Sequence, residues 1–185
     1  MSLNVLFVVY DNGSYDHHFP MGIGSISAIL KRDGHNFDLW NQDMHHYPDD
    51  DLRKYLDKNK YDVVILSLIA GYYQYKKMKK LSAAINSSKN RPIYVMGGYG
   101  PTPEPEFFLK KSGCDIVCMG EGETTISELM KSFENKTPLK DVPGIAWIEN
   151  GKLQMTNRAP LVHDLDSLPW TPYEKFIKGY KFFKK

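Results

Sequence analysis

The sequence predicts a doubly wound α/β protein: a five-stranded parallel sheet in the order 2-1-3-4-5, helices on both faces, and a C-terminal β-hairpin extension. Three observations carry this reading. Five short apolar runs recur within the first 135 residues. Most of them are apolar on both faces, as strands buried inside a parallel sheet are. Segments with apolar residues at helical spacing separate them, which describes βαβ units rather than a string of hairpins.

The elements follow in order. Val5-Leu6-Phe7-Val8-Val9-Tyr10 reads as the first strand, and a long loop from Asp11 to Met21 follows it. Ile23, Ile26, Ile29 and Leu30 mark the first helix, which Gly34 ends. Asn36 to Trp40 is a shorter second strand, and Asp49 begins a helix with Leu52, Tyr55 and Leu56 on one face. Val63 to Leu68 is the third strand. Met78, Leu81 and Ile85 define the next helix, with Lys76, Lys77, Lys79 and Lys80 mostly around its solvent side. Pro92 to Met96 is the fourth strand, followed by a glycine-rich loop and a short helix near Glu104 to Ser112. Ile116 to Met119 is the fifth, and a helix carrying Ile126, Leu129, Met130 and Phe133 starts at Glu123 or Thr124. Right-handed crossovers make the flavodoxin-like order the leading topology.

After Lys136 the pattern changes. Residues 1–135 read as the α/β domain and 136–185 as an extension. Ile145 to Ile148 and Leu153 to Thr156 alternate around Asn150-Gly151, a hairpin signal. Leu165 to Pro172 reads as an extended connector, and Tyr173 to Lys185 as a basic, aromatic, helical end.

Composition narrows the function classes. A formal net charge of +2 leaves no strong nucleic-acid footprint. No apolar run approaches the ~20 residues of a membrane helix, and the first residues carry no secretory signal, so a cytoplasmic protein is expected. The two cysteines, Cys114 and Cys118, flank the fifth strand. In an extended strand they share a face at about 13 Å, too far for a disulfide, and read as a buried structural pair.

Ligands of open parallel sheets lie beyond the strands' carboxyl ends, near the point where strand order reverses. That point falls between strands one and three. The loops 11–21, 69–74 and 97–103 converge there, and Gly120-Glu121-Gly122-Glu123 adds to them. Gly97, Gly98 and Gly100 strip side chains from the sheet edge, which lets a flat or bulky group lie against backbone. A dinucleotide fingerprint is absent, because Gly22-Ile23-Gly24 comes eleven residues too late for the tight turn. No Lys-Ser or Lys-Thr pair follows the glycines as in a phosphate loop, and no Gly-x-Ser-x-Gly elbow occurs. His17-His18 and His45-His46 lack partners at metal-ligand spacing. A nucleotide or sugar-nucleotide site stays open as the alternative reading.

Four segments together resemble a known family, the N-terminal cobalamin-binding domain of cobalamin-dependent radical SAM proteins. They are Pro20 to His35 with its Met21-Gly22-Ile23-Gly24 start, Tyr61 to Ser67, Met96 to Thr102, and Cys114 to Thr124 ending in Gly120-Glu121-Gly122-Glu123-Thr124. Pro143-Gly144-Ile145-Ala146 and Leu165-Asp166-Ser167-Leu168-Pro169 are similar to the family's run toward its catalytic barrel.

The resemblance implies that the corrin ring covers the strand ends and that the nucleotide tail descends beside Ser67, Gly97, Gly98 and Gly100. It implies cofactor contacts from Ser14, Tyr15, Phe19, Gly22, Ser67, Ile69, Gly71, Tyr72, Gly97, Gly98, Tyr99, Gly100, Glu121, Gly122 and Glu123. Tyr15, Phe19 and Tyr72 are expected as apolar packing beneath the ring, and Glu121 and Glu123 as acceptors for corrin amides. The histidine motif of other cobalamin proteins is broken here, because Asp16-x-His18-x-x-Met21 lacks its glycine. Cobalamin bound without a histidine ligand is therefore implied, with His18 as the alternative cobalt ligand.

The Cys-x3-Cys-x2-Cys cluster signature of radical SAM enzymes is also absent, since Glu121 stands in its third place. The iron–sulfur cluster, SAM and methyl transfer would then belong to a catalytic domain absent from this sequence, in the same longer chain or a separate subunit.

Overall fold

The computed structural model describes residues 2–13 and 18–176. Five parallel strands, β1 (Asn4–Val9), β2 (Asn36–Asn41), β3 (Val63–Ser67), β4 (Ile93–Gly97) and β5 (Ile116–Cys118), lie in the order β2-β1-β3-β4-β5. The sheet has seven strands, not five. β6 (Ile145–Glu149) and β7 (Lys152–Met155) form the hairpin at Asn150-Gly151, and β6 pairs antiparallel with β5 through Ile116↔Trp147 and Cys118↔Ile145. The turn works because Asn150 and Gly151 both take positive φ, 51° and 76°, the geometry that matches strand twist in a two-residue hairpin. Without β6 the three-residue β5 would be a bare edge, and Ile145 and Ala146 are fully buried against it.

Helices cover both faces. Val5, Phe7, Val9, Ile65 and Val95 face α1 (Met21–Arg32) and α6 (Gly122–Asn135), packing with Ile29, Leu30, Leu129 and Met130. The alternate residues Leu6, Val8, Val64, Leu66 and Tyr94 face α3 (Asp51–Lys58), α4 (Tyr72–Asn86) and α5 (Pro105–Ser112). Tyr94 is completely buried, and its hydroxyl shares a 2.9 Å hydrogen bond with Ser82 Oγ, so the phenol meets no unpaired polar environment.

Some local expectations change. A four-residue helix, α2 (Gln42–His45), follows β2, with the Asn41 side chain accepting from the Met44 amide at 3.1 Å. α3 begins at Asp51 rather than Asp49, because the Asp49 carboxylate is used elsewhere. It accepts hydrogen bonds from Lys77 Nζ at 2.9 Å and Gln42 Nε2 at 2.8 Å. Lys77 therefore turns inward instead of joining the solvent face of α4. Burial alone would raise the Asp49 pKa, but the Lys77 and Gln42 hydrogen bonds and the Lys77 and Lys80 charges outweigh it and hold the carboxyl below its ordinary value.

The cysteines do not share a face. Cys114 precedes β5 and packs on the α3–α5 side, whereas Cys118 packs on the α1–α6 side. Both are free thiols; Cys114 is buried and Cys118 partly so. The connector is not fully extended: Leu165–Ser167 makes a 3-10 turn in which Asp164 accepts from the Asp166 amide. Tyr173–Lys175 makes another, and the rest of the basic end, 177–185, lies outside the described residues.

Two outcomes follow from this packing. Ile145→Ala should lower the unfolding free energy by roughly 2–5 kcal/mol, measured by urea denaturation, whereas Ile148→Ala, at a position 36% exposed, should cost far less. Equal small losses would mean that the hairpin is not part of the main core. The depressed Asp49 pKa gives a stability contribution that is complete above the unfolded carboxylate value and is lost as pH falls through the folded one. Asp49→Asn should therefore flatten the acid limb of the stability curve.

Candidate functional site

A groove of about 520 Å³ opens at the carboxyl ends of β3, β4 and β5, between α1 and α6. Phe7, Ile65 and Val95 rise from the strands to line it, and Ile23, Ile26 and Ile126 flank it from the two helices. The loops supply Ser67, Gly97, Gly98, Tyr99 and Thr102 from one side, and Gly120, Glu121, Gly122 and Glu123 from the other. Arg158, Ala159 and Leu161, which follow the hairpin, also line it. A hollow of about 740 Å³ lies beside Arg91, Asp115 and Lys136 at the opposite, amino ends of β4 and β5, away from the loops that follow those strands.

The groove sits further toward β5 than the order reversal between β1 and β3. The reason is local. The chain leaving β3 turns onto the other face, where Gly71, with φ of 147°, stands as the N-cap of α4. Ile69, Gly71 and Tyr72 consequently lie outside the lining, and Ile69 and Tyr72 are 60% and 76% exposed. Gly100 is buried beneath the loop, its amide donating to the Leu68 carbonyl at 3.0 Å. Of the expected contacts, Gly22, Ser67, Gly97, Gly98, Tyr99, Glu121, Gly122 and Glu123 come together in the groove. The Phe19 ring instead packs against Tyr173 and Phe176, at centroid distances of 5.3 and 5.1 Å. His18 is exposed, and Ser14 and Tyr15 lie outside the described residues.

Two adjacent glycines have different reasons to be glycine. Gly98 has φ of 98°, and a Cβ there would meet the Leu68 carbonyl oxygen at 2.6 Å and its amide nitrogen at 3.0 Å. Its lack of a side chain is required by the protein's own backbone. Gly97 ends β4 without positive φ, and a Cβ there would touch only Cys118, at 3.7 Å or more. Ordinary contacts permit a side chain at 97; it would occupy the groove. The bareness of Gly97 is thus the more direct sign of a ligand.

Polar contacts hold the mouth in shape. Thr102 Oγ1 donates to the Gly98 carbonyl at 2.8 Å and accepts from the Gly120 amide at 3.3 Å, joining the loops after β4 and β5. Ser25 Oγ donates to Glu123 Oε1 at 2.7 Å, joining α1 to the first turn of α6. A carboxylate in that turn also complements the positive helix end. Glu121 Oε2 accepts from the Val162 amide at 3.4 Å. Beside α2 and α4, the loop after β1 is pinned as far as Gly13: the Gly13 amide donates to Asp11 Oδ1 at 2.7 Å and the Asn12 amide to Asp43 Oδ1 at 2.8 Å.

Cys118 lines the groove, and burial pushes its thiol up to about 12. It is a neutral, weakly polar surface there rather than a nucleophile. Among the described residues no group of three His, Cys, Asp or Glu side chains is arranged to hold a metal, and no helix is long and apolar enough to cross a membrane. The lining residues absent from the sequence reading of the site are mainly Phe7, Ile23, Ile26, Ile65, Val95, Met96, Cys118, Met119 and Ile126, with the segment around Arg158.

A model of the B12 binding domain family matches residues 8–130. An uncharacterized methyltransferase of Pyrococcus horikoshii is 27% identical over 157 residues, covering 84% of this chain and 33% of that protein. The anaerobic magnesium-protoporphyrin IX monomethyl ester cyclase of Synechocystis is 25% identical, covering 80% and 30%. The chain spans about a third of the length of the curated relatives it matches. Among solved structures, the radical S-adenosylmethionine methyltransferase TsrM of Kitasatospora setae, with cobalamin and a [4Fe-4S] cluster bound, superposes with a TM-score of 0.73 at 16% identity. It covers 92% of this chain and 31% of that one.

The two glycines can be separated by stability alone. Gly98→Ala should destabilise the fold by at least about 1–2 kcal/mol, the cost of a side chain at positive φ, with the Leu68 contact adding to it. Gly97→Ala should be neutral or slightly stabilising, since alanine loses less backbone entropy in a strand. Thermal melts of both variants check this; a comparable loss at Gly97 would remove the case that its bareness serves a ligand.

Proposed function

Because the chain belongs to the B12-binding domain family, we propose that the groove between α1 and α6 receives the nucleotide tail of cobalamin, with the corrin ring over the carboxyl ends of the strands. The observation that carries this is Gly97, a glycine that the protein's own packing does not demand, set in an apolar groove. The residues present fit the group. Phe7, Ile23, Ile65 and Val95 offer apolar walls to a flat aromatic base, while Ser67 and Gly97 leave room for it beside the backbone.

Each neighbouring element then has a task. Tyr99, 84% exposed, and the exposed Ile69 and Tyr72 give the ring an apolar rim. Glu121 and Glu123, already oriented by Val162 and Ser25, present their remaining acceptor capacity to ring amides. Binding proceeds without a histidine on cobalt. Bound cobalamin supplies a cobalt centre able to carry a methyl group. The chain's own residues hold that centre.

We further infer that the chain serves a radical SAM catalytic domain, in a longer chain or as a separate subunit, that holds SAM and the iron–sulfur cluster and moves a methyl group to an unreactive carbon or phosphorus. Relatives about three times as long support this, as does the likeness to a methyltransferase with both cofactors bound. Residues 1–135 are then the cofactor-binding unit and 136–185 the hairpin and connector. Two free thiols suit the reducing cytoplasm.

Purified protein mixed with hydroxocobalamin should retain colour through gel filtration, and nucleotides such as ATP should not raise its melting temperature. Gly97→Val should keep the fold yet weaken retention by about tenfold or more, equivalent to about 1.4 kcal/mol of lost fit. His18→Ala should leave the visible spectrum of the complex unchanged. Loss of colour from the wild-type protein would defeat the reading, and a spectrum altered by His18→Ala would restore histidine ligation.

A further inference from the structure

The segment after the hairpin lies past the family match at residues 8–130, yet it lines the same groove. Both of its ends are tied down. The Gly144 amide donates to the Asn157 carbonyl at 2.7 Å, and the Val162 amide donates to Glu121 Oε2 at 3.4 Å. Gly144 itself, at φ of 75°, leaves no ordinary space for a Cβ, which would lie 2.6 Å from Thr125 Oγ1 and 3.3 Å from the Ala159 amide nitrogen. The segment is therefore a strap across the groove mouth, seated on the start of β6 and on the residue that caps α6.

Arg158 is the single cation among the described lining residues, and its guanidinium makes no ion pair or hydrogen bond with any described residue. Two carboxylates, Glu121 and Glu123, line the same groove, but their recorded partners are the Val162 amide and Ser25 Oγ. If Arg158 served to neutralise either of them, an ion pair would be expected. Instead its five donors stay open beside a cavity whose walls are apolar, an arrangement in which the planar guanidinium fork suits two oxygens of an anionic group such as a phosphate. The nucleotide tail of cobalamin carries one such group, a phosphodiester between the ring side chain and the ribose.

We propose that the strap from Asn157 to Val162 is part of the cofactor site, and that the Arg158 guanidinium binds the phosphodiester of the nucleotide tail. This rests on the groove being the tail's site. Arg158 is exposed and holds nothing within the fold, so its replacement leaves folding intact.

Equilibrium dialysis of the wild-type protein, Arg158→Gln and Arg158→Lys against hydroxocobalamin and against cobinamide, which lacks the phosphodiester and nucleotide, tests it. Arg158→Gln should bind hydroxocobalamin about tenfold or more weakly and cobinamide as the wild type does, with Arg158→Lys in between. The affinity of the wild type for hydroxocobalamin should fall with added salt more steeply than that of Arg158→Gln. An unchanged hydroxocobalamin affinity, or an equal loss for both ligands, would overturn the role of Arg158 while leaving the groove assignment in place. A wild-type protein that binds neither ligand would overturn the groove assignment and this inference with it.

Discussion

The backbone of Gly98 lies against the backbone of Leu68, and the site depends on that contact. The Leu68 amide donates to the Gly97 carbonyl at 2.8 Å, and the Gly100 amide donates back to the Leu68 carbonyl at 3.0 Å. This continues the β3–β4 pairing past the last registered pair, Ser67↔Gly97, into the two loops. Any side chain at 98 would separate them. With the loop after β4 held down, Thr102 reaches across to the Gly120 amide, and the loops after β4 and β5 become one rim. The groove is the space left between that rim and α1.

Two kinds of surface meet there. Below the rim, Ile65 and Val95 belong to the buried core on the α1–α6 side and also line the groove. Tyr99 on the rim, and Ile69 and Tyr72 in and after the loop that leaves β3, are exposed. A ligand with an aromatic tail and a broad, amide-fringed ring would cover both. The antiparallel hairpin contributes twice. It seals the β5 edge, and the chain leaving it crosses the groove mouth carrying Arg158.

The sheet was readable in the sequence because parallel strands are apolar on both faces, so that Val5 to Tyr10 and Val63 to Leu68 stand out from their surroundings. The Asn150-Gly151 turn was equally plain. Its place on β5 was not, because that pairing joins Cys118 to Ile145 across a whole helix, and nothing local encodes it. The same limit applies to the groove. Ser67, Gly97, Gly98 and Glu121 to Glu123 were found as loop residues of unusual type, whereas Phe7, Ile65, Val95 and Ile126 look like any core residue until the helices are placed. The sequence also could not separate Gly97 from Gly98, since only the position of Leu68 shows which of them the backbone requires. Arg158 lay outside every motif and was brought to the site by the strap alone.

On the proposed reading, cobalamin is held in the groove between α1 and α6, under the joined β4 and β5 loops. Amide hydrogen exchange measured by mass spectrometry, with and without hydroxocobalamin, addresses it most directly. Slowed exchange should centre on peptides spanning Gly97 to Thr102 and Gly120 to Thr124, with none at the hollow formed by Arg91, Asp115 and Lys136. Protection at that hollow, with the two loops unchanged, would contradict the claim.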